Sequence, residues 1–108
     1  MKRIIAYKHY YQNFISSLTE LERKKLLRAL LLLQTEEKIP YHYIKYLRDG
    51  IYELRVTYGN NELRIFFIYD GDTIVILLNG FKKKSQKTPP KEIDKAIKLR
   101  KEYYESKG

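Results

Sequence analysis

Residues 46–90, YLRDGIYELRVTYGNNELRIFFIYDGDTIVILLNGFKKKSQKTPP, constrain the fold more than any other stretch. Three strand signals follow one another there, separated by the turn signals Gly59-Asn60-Asn61 and Asp70-Gly71-Asp72. Glycine and asparagine accept the backbone conformations of tight hairpins, so consecutive strands pair antiparallel, as a meander. Asp49-Gly50 marks a further turn before the first of them. In residues 51–57, Tyr52, Leu54 and Val56 alternate with Glu53, Arg55 and Thr57, the pattern of a half-buried strand. Residues 62–69 put Leu63, Ile65, Phe67 and Tyr69 on one face and Arg64, Phe66 and Ile68 on the other. Residues 73–79 are apolar on both faces, which fits a central strand.

The flanks supply a further strand and the helices. Residues 2–7 read as a short strand centred on Ile4 and Ile5. Tyr11, Phe14, Ile15 and Leu18 recur at helical spacing over residues 8–17. Thr19 to Glu22 matches a capping box, and Leu21, Leu26 or Leu27, Leu30, Leu31 and Leu33 then form a broad apolar stripe facing the core. Pro40 follows shortly after and closes that helix. Residues 41–47, YHYIKYL, fit an extended link or a short turn of helix equally well. Thr88 as cap and Pro89-Pro90 in the first turn open a last helix, with Ile93, Ala96, Ile97, Arg100 and Tyr104 on one face. The expected fold is α+β over residues 1–108 as one domain. A curved antiparallel sheet of about four strands carries the N-terminal helices on one face, and a C-terminal helix follows.

Charge is uneven. Lys and Arg number 22 against 13 Asp and Glu, a formal net charge of +9, with +4 in residues 1–40, −1 in 41–80 and +6 in 81–108. A basic tail beside a nearly neutral sheet suits an anionic partner, nucleic acid first. Eleven tyrosines can stack on bases, and they also pack well in strands. There is no cysteine, so disulfides and thiolate metal sites are excluded. The start, MKRIIAYKHYY, lacks the apolar run of a signal peptide, and no apolar run is long enough to span a bilayer. The expectation is a cytoplasmic protein.

The chemistry open to the chain is cationic. His9 and His42 are the only histidines, no carboxylate cluster has metal-ligand spacing, and neither a phosphate-cradling glycine loop nor a nucleotide fingerprint occurs. No metal and no cofactor is expected. Arg55 and Arg64 fall on neighbouring antiparallel strands, and Lys82, Lys83, Lys84 and Lys87 follow the third. Such a cluster suits a phosphodiester, since arginine grips phosphate bidentately and lysine acts as a mobile point charge. In RNA the 2′-hydroxyl is a built-in nucleophile, so a protein must mainly align it, stabilise phosphate charge and manage two protons. A crowd of cations also lowers a lysine's proton affinity toward a base's. Each residue has a plainer role as well. Arg55 can pair with Glu53 or Glu62, Arg64 can be a solvent-exposed strand arginine, and the lysines can be a solvated loop. Glu53 can act as a base or as an ion-pair partner.

Four segments then carry a family resemblance: LRDGIYELRV (47–56), ELRIFF (62–67), LLNGF (77–81) and KKKSQKTPPKEIDKA (82–96). In these the chain resembles the RelE/ParE superfamily of type II toxin–antitoxin toxins, in its HigB-like, phage-derived branch. The resemblance implies a small α/β toxin with helices on one sheet face and an open basic cleft on the other. It implies a ribosome-dependent, metal-independent mRNA endoribonuclease that cuts in the decoding site through the RNA 2′-hydroxyl, held in check by a cognate antitoxin. It assigns Arg55, Arg64, Lys83 and Lys84 to catalysis, with Arg64 on phosphate and the two lysines on transition-state charge. Lys82, Lys87 and Lys91 are assigned to RNA. Some relatives carry a proton-transferring histidine or tyrosine near the end of the last strand. Here Asn79 precedes Gly80 and neither type occurs between Asn79 and Pro90, so the general acid has no assignment; Tyr103 and Tyr104 are distant candidates. A ParE-like DNA gyrase inhibitor and a non-catalytic RNA- or ribosome-binding module are the alternative readings.

Overall fold

The structure, a computed structural model, describes residues 1–83 and 88–107. In chain order it contains β1 (Arg3–Ala6), α1 (Tyr10–Ser16), α2 (Glu20–Thr35), β2 (Ile44–Arg48), β3 (Ile51–Tyr58), β4 (Asn61–Asp70), β5 (Ile74–Lys83) and α3 (Pro90–Lys107). The strands form one five-stranded sheet in the order β1-β5-β4-β3-β2. β2, β3, β4 and β5 run as an antiparallel meander, and β1 joins the edge of β5 in parallel. The fold is α+β.

The strand beyond the expected four is β2, which resolves the undecided segment 41–47. Its cause is the Asp49-Gly50 turn, where φ is +51° and +79°. Two successive positive φ values make a tight hairpin, and a tight hairpin needs a strand on each side. Arg48 accordingly pairs with Ile51. The second difference is that helices cover both sheet faces. On one, α1 and α2 bury Phe14, Leu26, Leu30 and Leu33 against Leu54, Val56, Leu63, Ile65 and Phe67. On the other, α3 buries Ala96 and Leu99 against Ile51, Phe66, Ile68, Ile76 and Leu78. Strands β4 and β5 are apolar on both sides, so neither side can be left to water. The buried stripe of α3 runs through Leu99 and Tyr103; Arg100 instead lays its guanidinium against Gly50, and Tyr104 is exposed.

α2 starts as its sequence implies. The Thr19 hydroxyl accepts from the Glu22 amide at 3.2 Å, and the Glu22 carboxylate accepts from the Thr19 amide at 2.9 Å. A bulge in β5 does more to shape the functional end. Ile65 pairs with Gly80 but Phe67 pairs with Leu77, so Leu78 and Asn79 together oppose Phe66. Leu78 then packs in the α3 core, and the Asn79 amide donates to the Glu92 carboxylate of α3 at 3.0 Å. Gly80 meets α1, where an added Cβ would run into the Phe14 ring, so only glycine fits.

Candidate active site

Past the bulge, alternation sends successive β5 side chains to opposite faces. Phe81 returns to the α3 side against Phe66, with ring centroids 5.4 Å apart. Lys82 goes to the α2 side, and its ammonium sits 3.2 Å from the Glu22 carboxylate. Lys83 comes back to the α3 side, at the sheet end that α3 leaves uncovered. There β3 and β4 set Arg55 directly opposite Arg64. Two like charges in that register repel, and two carboxylates offset them. Glu53, 1% exposed, holds Oε1 3.7 Å from both the Arg55 Nε and the Arg64 Nε. Glu62 lies 3.5 Å from the Arg64 Nη1. The Thr88 hydroxyl, just ahead of α3, donates to the Glu53 Oε2 at 3.0 Å.

The arginines therefore play different parts. Arg55 keeps a side chain 35% exposed. Arg64 is buried, its side chain only 3% exposed, with Nη1 donating to the Leu63 carbonyl at 3.2 Å and Nε without a hydrogen-bond partner among the described residues. This differs from a solvent-exposed strand arginine; the two acids flanking it across the sheet hold it down. Burial pushes the Lys83 ammonium below the ordinary lysine value, and the Arg64 and Arg55 charges push the same way against the opposing pull of Glu53 and Glu62. The Thr57 hydroxyl, followed by Arg64 and Arg55, holds the Glu62 carboxyl below its usual range despite partial desolvation.

An open cleft of about 350 Å³ adjoins this cluster, lined by Lys25, His42, Tyr43, Arg55, Thr57, Glu62 and Arg64. Reading the meander alone misses His42. It lies ahead of β2, and the Arg55 amide, donating to the Tyr43 carbonyl at 2.7 Å, anchors that segment beside β3. The His42 ring stacks on Tyr43 with centroids 4.4 Å apart. Its only sequence signal is its place in a run of aromatics just before a β-edge.

Of the expected site residues, the structure brings together Arg55, Arg64 and Lys83. Lys82 is on the opposite face, so it does not join them. Lys91 is exposed in the first turn of α3, the turn that Thr88 and Glu92 tie to Glu53 and Asn79. Lys84 and Lys87 lie outside the described residues. Tyr103 and Tyr104 sit at the far end of α3: the Tyr103 hydroxyl donates to the Asp70 carboxylate, and the Tyr104 hydroxyl donates to the Tyr69 carbonyl at 3.0 Å. Asp70 lies six positions along β4 from Arg64, roughly 20 Å of strand. Neither tyrosine reaches the cluster.

The chain's relationships agree with this architecture. The family described as "Phage derived protein Gp49-like" matches residues 13–101, which takes in the second half of α1, all of α2, the whole meander and most of α3. The chain belongs to the Gp49-like family. A chain of the archaeal RelE–RelB complex from Pyrococcus horikoshii OT3 shares the fold of this Gp49-like protein. Its TM-score is 0.51 at 14% identity, over 80% of this chain and 98% of that one. No curated protein sequence matches. The family match and the shared fold agree with the RelE-like resemblance read from the sequence. Among the described residues, no helix is long and apolar enough to cross a membrane.

Proposed function

We propose that this Gp49-like protein is the toxin of a type II pair and cuts mRNA in the ribosomal decoding site, without a metal, through the RNA 2′-hydroxyl. The observation that carries the reading is an open cleft lined by Arg55 and Arg64 around a single buried carboxylate, with Lys83 beside them on the same sheet face. Cations in excess over acids at a partly desolvated sheet end suit a phosphodiester more than a structural ion pair.

In the proposed reaction the 2′-oxygen attacks phosphorus, the bond to the 5′-oxygen breaks, and a 2′,3′-cyclic phosphate and a 5′-hydroxyl result. Arg55 grips the non-bridging oxygens. Lys83 shares the developing charge, and its lowered proton affinity suits it to exchange a proton at the 2′-hydroxyl. Arg64 acts from beneath, fixing Glu53 and adding field without leaving its buried seat. His42, in the same cleft, returns a proton to the 5′-oxygen. Lys91, exposed in the first turn of α3, offers the RNA a further cation, Lys84 and Lys87 remain sequence-based candidates for the same role, and the antitoxin is the partner that silences the site. Lys82, paired with Glu22 on the other face, is left out of this track.

The test uses purified protein, translating ribosomes and a defined mRNA. Cleavage at the decoding site with cyclic-phosphate ends is the expected result. Intact mRNA together with blocked supercoiling by purified DNA gyrase would replace this reading with the ParE-like one. Salt-sensitive RNA binding without cleavage would leave a binding module.

A further inference from the structure

Strand β1 stops at Ala6, whose partner on β5 is Leu77. Beyond that point, among the described residues, no strand lies beside the outer edge of β5. A pocket of about 410 Å³ opens there, lined by residues of α1, β5 and α3. Phe14 and Gly80 give it an apolar wall, which a side chain at position 80 would fill. His9 and Tyr10 line it too, their rings stacked with centroids 4.7 Å apart. Lys95 reaches across from α3 and holds its ammonium 4.9 Å from the centre of the Tyr10 ring. Asn79, 2% exposed, completes the lining. Its Nδ2 donates to the Glu92 carbonyl at 3.2 Å and to the Glu92 carboxylate at 3.0 Å. Its Oδ1 is buried with no donor among the described residues. A buried carbonyl without a donor is costly, so its presence at a pocket calls for an explanation. The pocket shares no lining residue with the cationic cleft.

We propose that this pocket binds a ribonucleotide whose base carries an exocyclic amine, AMP being the simplest example. The aromatic lining suits the flat face of a base. The amine supplies the donor that the Asn79 Oδ1 lacks. With Nδ2 committed to Glu92, Asn79 offers an acceptor alone, so a base edge without a donor leaves that oxygen unpaired. The Lys95 ammonium, a mobile point charge, meets the phosphate. The volume falls within the range of small-molecule sites, about 300–1,000 Å³. Inorganic phosphate leaves the rings unused, and a simple aromatic acid leaves Oδ1 unpaired. The site does not depend on the nuclease reading. The same nucleotide chemistry reaches a pocket either free or as one unit of an RNA strand, and the test separates the two sources.

The probes are AMP, adenosine and purine riboside 5′-monophosphate, which differs from AMP only in lacking the amine. Each is titrated against the whole chain and followed by amide NMR. AMP gives saturable shifts at Tyr10, Asn79 and Gly80. Adenosine and the amine-free nucleotide each bind roughly tenfold more weakly. Lys95→Ala, a substitution at an exposed position, lowers AMP to the affinity of adenosine while the circular dichroism spectrum is unchanged. The amine-free nucleotide tests Asn79 without disturbing the fold. Equal binding of AMP and the amine-free nucleotide would overturn the proposal. So would AMP affinity unaltered in Lys95→Ala, or no saturable shift at millimolar AMP. Shifts confined to Arg55, Arg64 and Lys83 would overturn it too, since they place the phosphate in the cationic cleft. With the pocket occupied as expected, an oligoadenylate that takes over the same shifts at lower concentration assigns the nucleotide to an RNA strand. An oligoadenylate that leaves AMP in place assigns it to free nucleotide.

Discussion

The α3 side of the sheet has one end whose charges are matched and one whose charges are not. At the far end, Asp70 accepts from the Tyr103 hydroxyl and holds the Lys107 ammonium at 2.6 and 2.7 Å from its two oxygens. Every group there has a partner, and α3 closes over it. At the near end, Arg55, Arg64 and Lys83 face two carboxylates, Glu53 and Glu62, and the cleft stays open. Similar residue types thus give a clasp at one end and an unbalanced cationic surface at the other. What separates them is surplus: the clasp is complete without a ligand, whereas the near end retains positive charge and a buried arginine Nε with no hydrogen-bond acceptor among the described residues.

Arg64→Ala should break the near end most severely. Removing it leaves Glu53 buried with only Arg55 and the Thr88 hydroxyl. A loss of about 3 kcal/mol of stability is expected from breaking such a buried pair, read as a lower urea midpoint, and cleavage disappears with it. Arg55→Ala and Lys83→Ala should separate function from stability. Cleavage falls by about 10² to 10³, the scale of losing one charge-stabilising group. Stability to urea changes by no more than about 0.5 kcal/mol, as for surface substitutions. If Arg55→Ala unfolds the chain as readily as Arg64→Ala, the division of labour between the arginines is wrong. His42→Gln should lower cleavage by about 10², the lower range for a general acid, with stability to urea unchanged. Full cleavage by that variant would take His42 out of the reaction.

The far end should answer only in titration. The hydrogen bond to Asp70, aided by burial, raises Tyr103 to about 12. A raised value means the proton is held more tightly in the folded state. The bond's contribution is complete below the ordinary tyrosine value and is lost as pH rises through about 12. Asp70→Asn should return Tyr103 toward about 10, seen by NMR of labelled tyrosine rings, with cleavage unaffected. Loss of cleavage in that variant would show that the two ends act as one unit.

Much of this was legible in the residues. The Asp-Gly and Gly-Asn turns, the alternation of β3 and β4 and the capping box at Thr19 translate directly into local geometry, because each depends on neighbours in the chain. What was not legible depends on partners far along it. The placement of β2 follows from its pairing with β3, and the bulge at Leu78–Asn79 resets the alternation so that Lys83, and not Lys82, joins the arginines. Arg64 is buried because Glu53 and Glu62 meet it from two strands. His42 enters the cleft only through the backbone bond from Arg55 to Tyr43. Thr88, read as a helix cap, donates its hydroxyl proton to Glu53.

The central claim is that surplus cations at the near end cut mRNA. Its most direct test is expression from a tightly controlled promoter, with primer extension on cellular mRNA, for the wild type, Lys83→Ala and Asp70→Asn. The account predicts growth arrest and new in-frame mRNA ends for the wild type and Asp70→Asn, and neither for a folded Lys83→Ala protein. New ends that persist in Lys83→Ala, or arrest with intact mRNA, would contradict it.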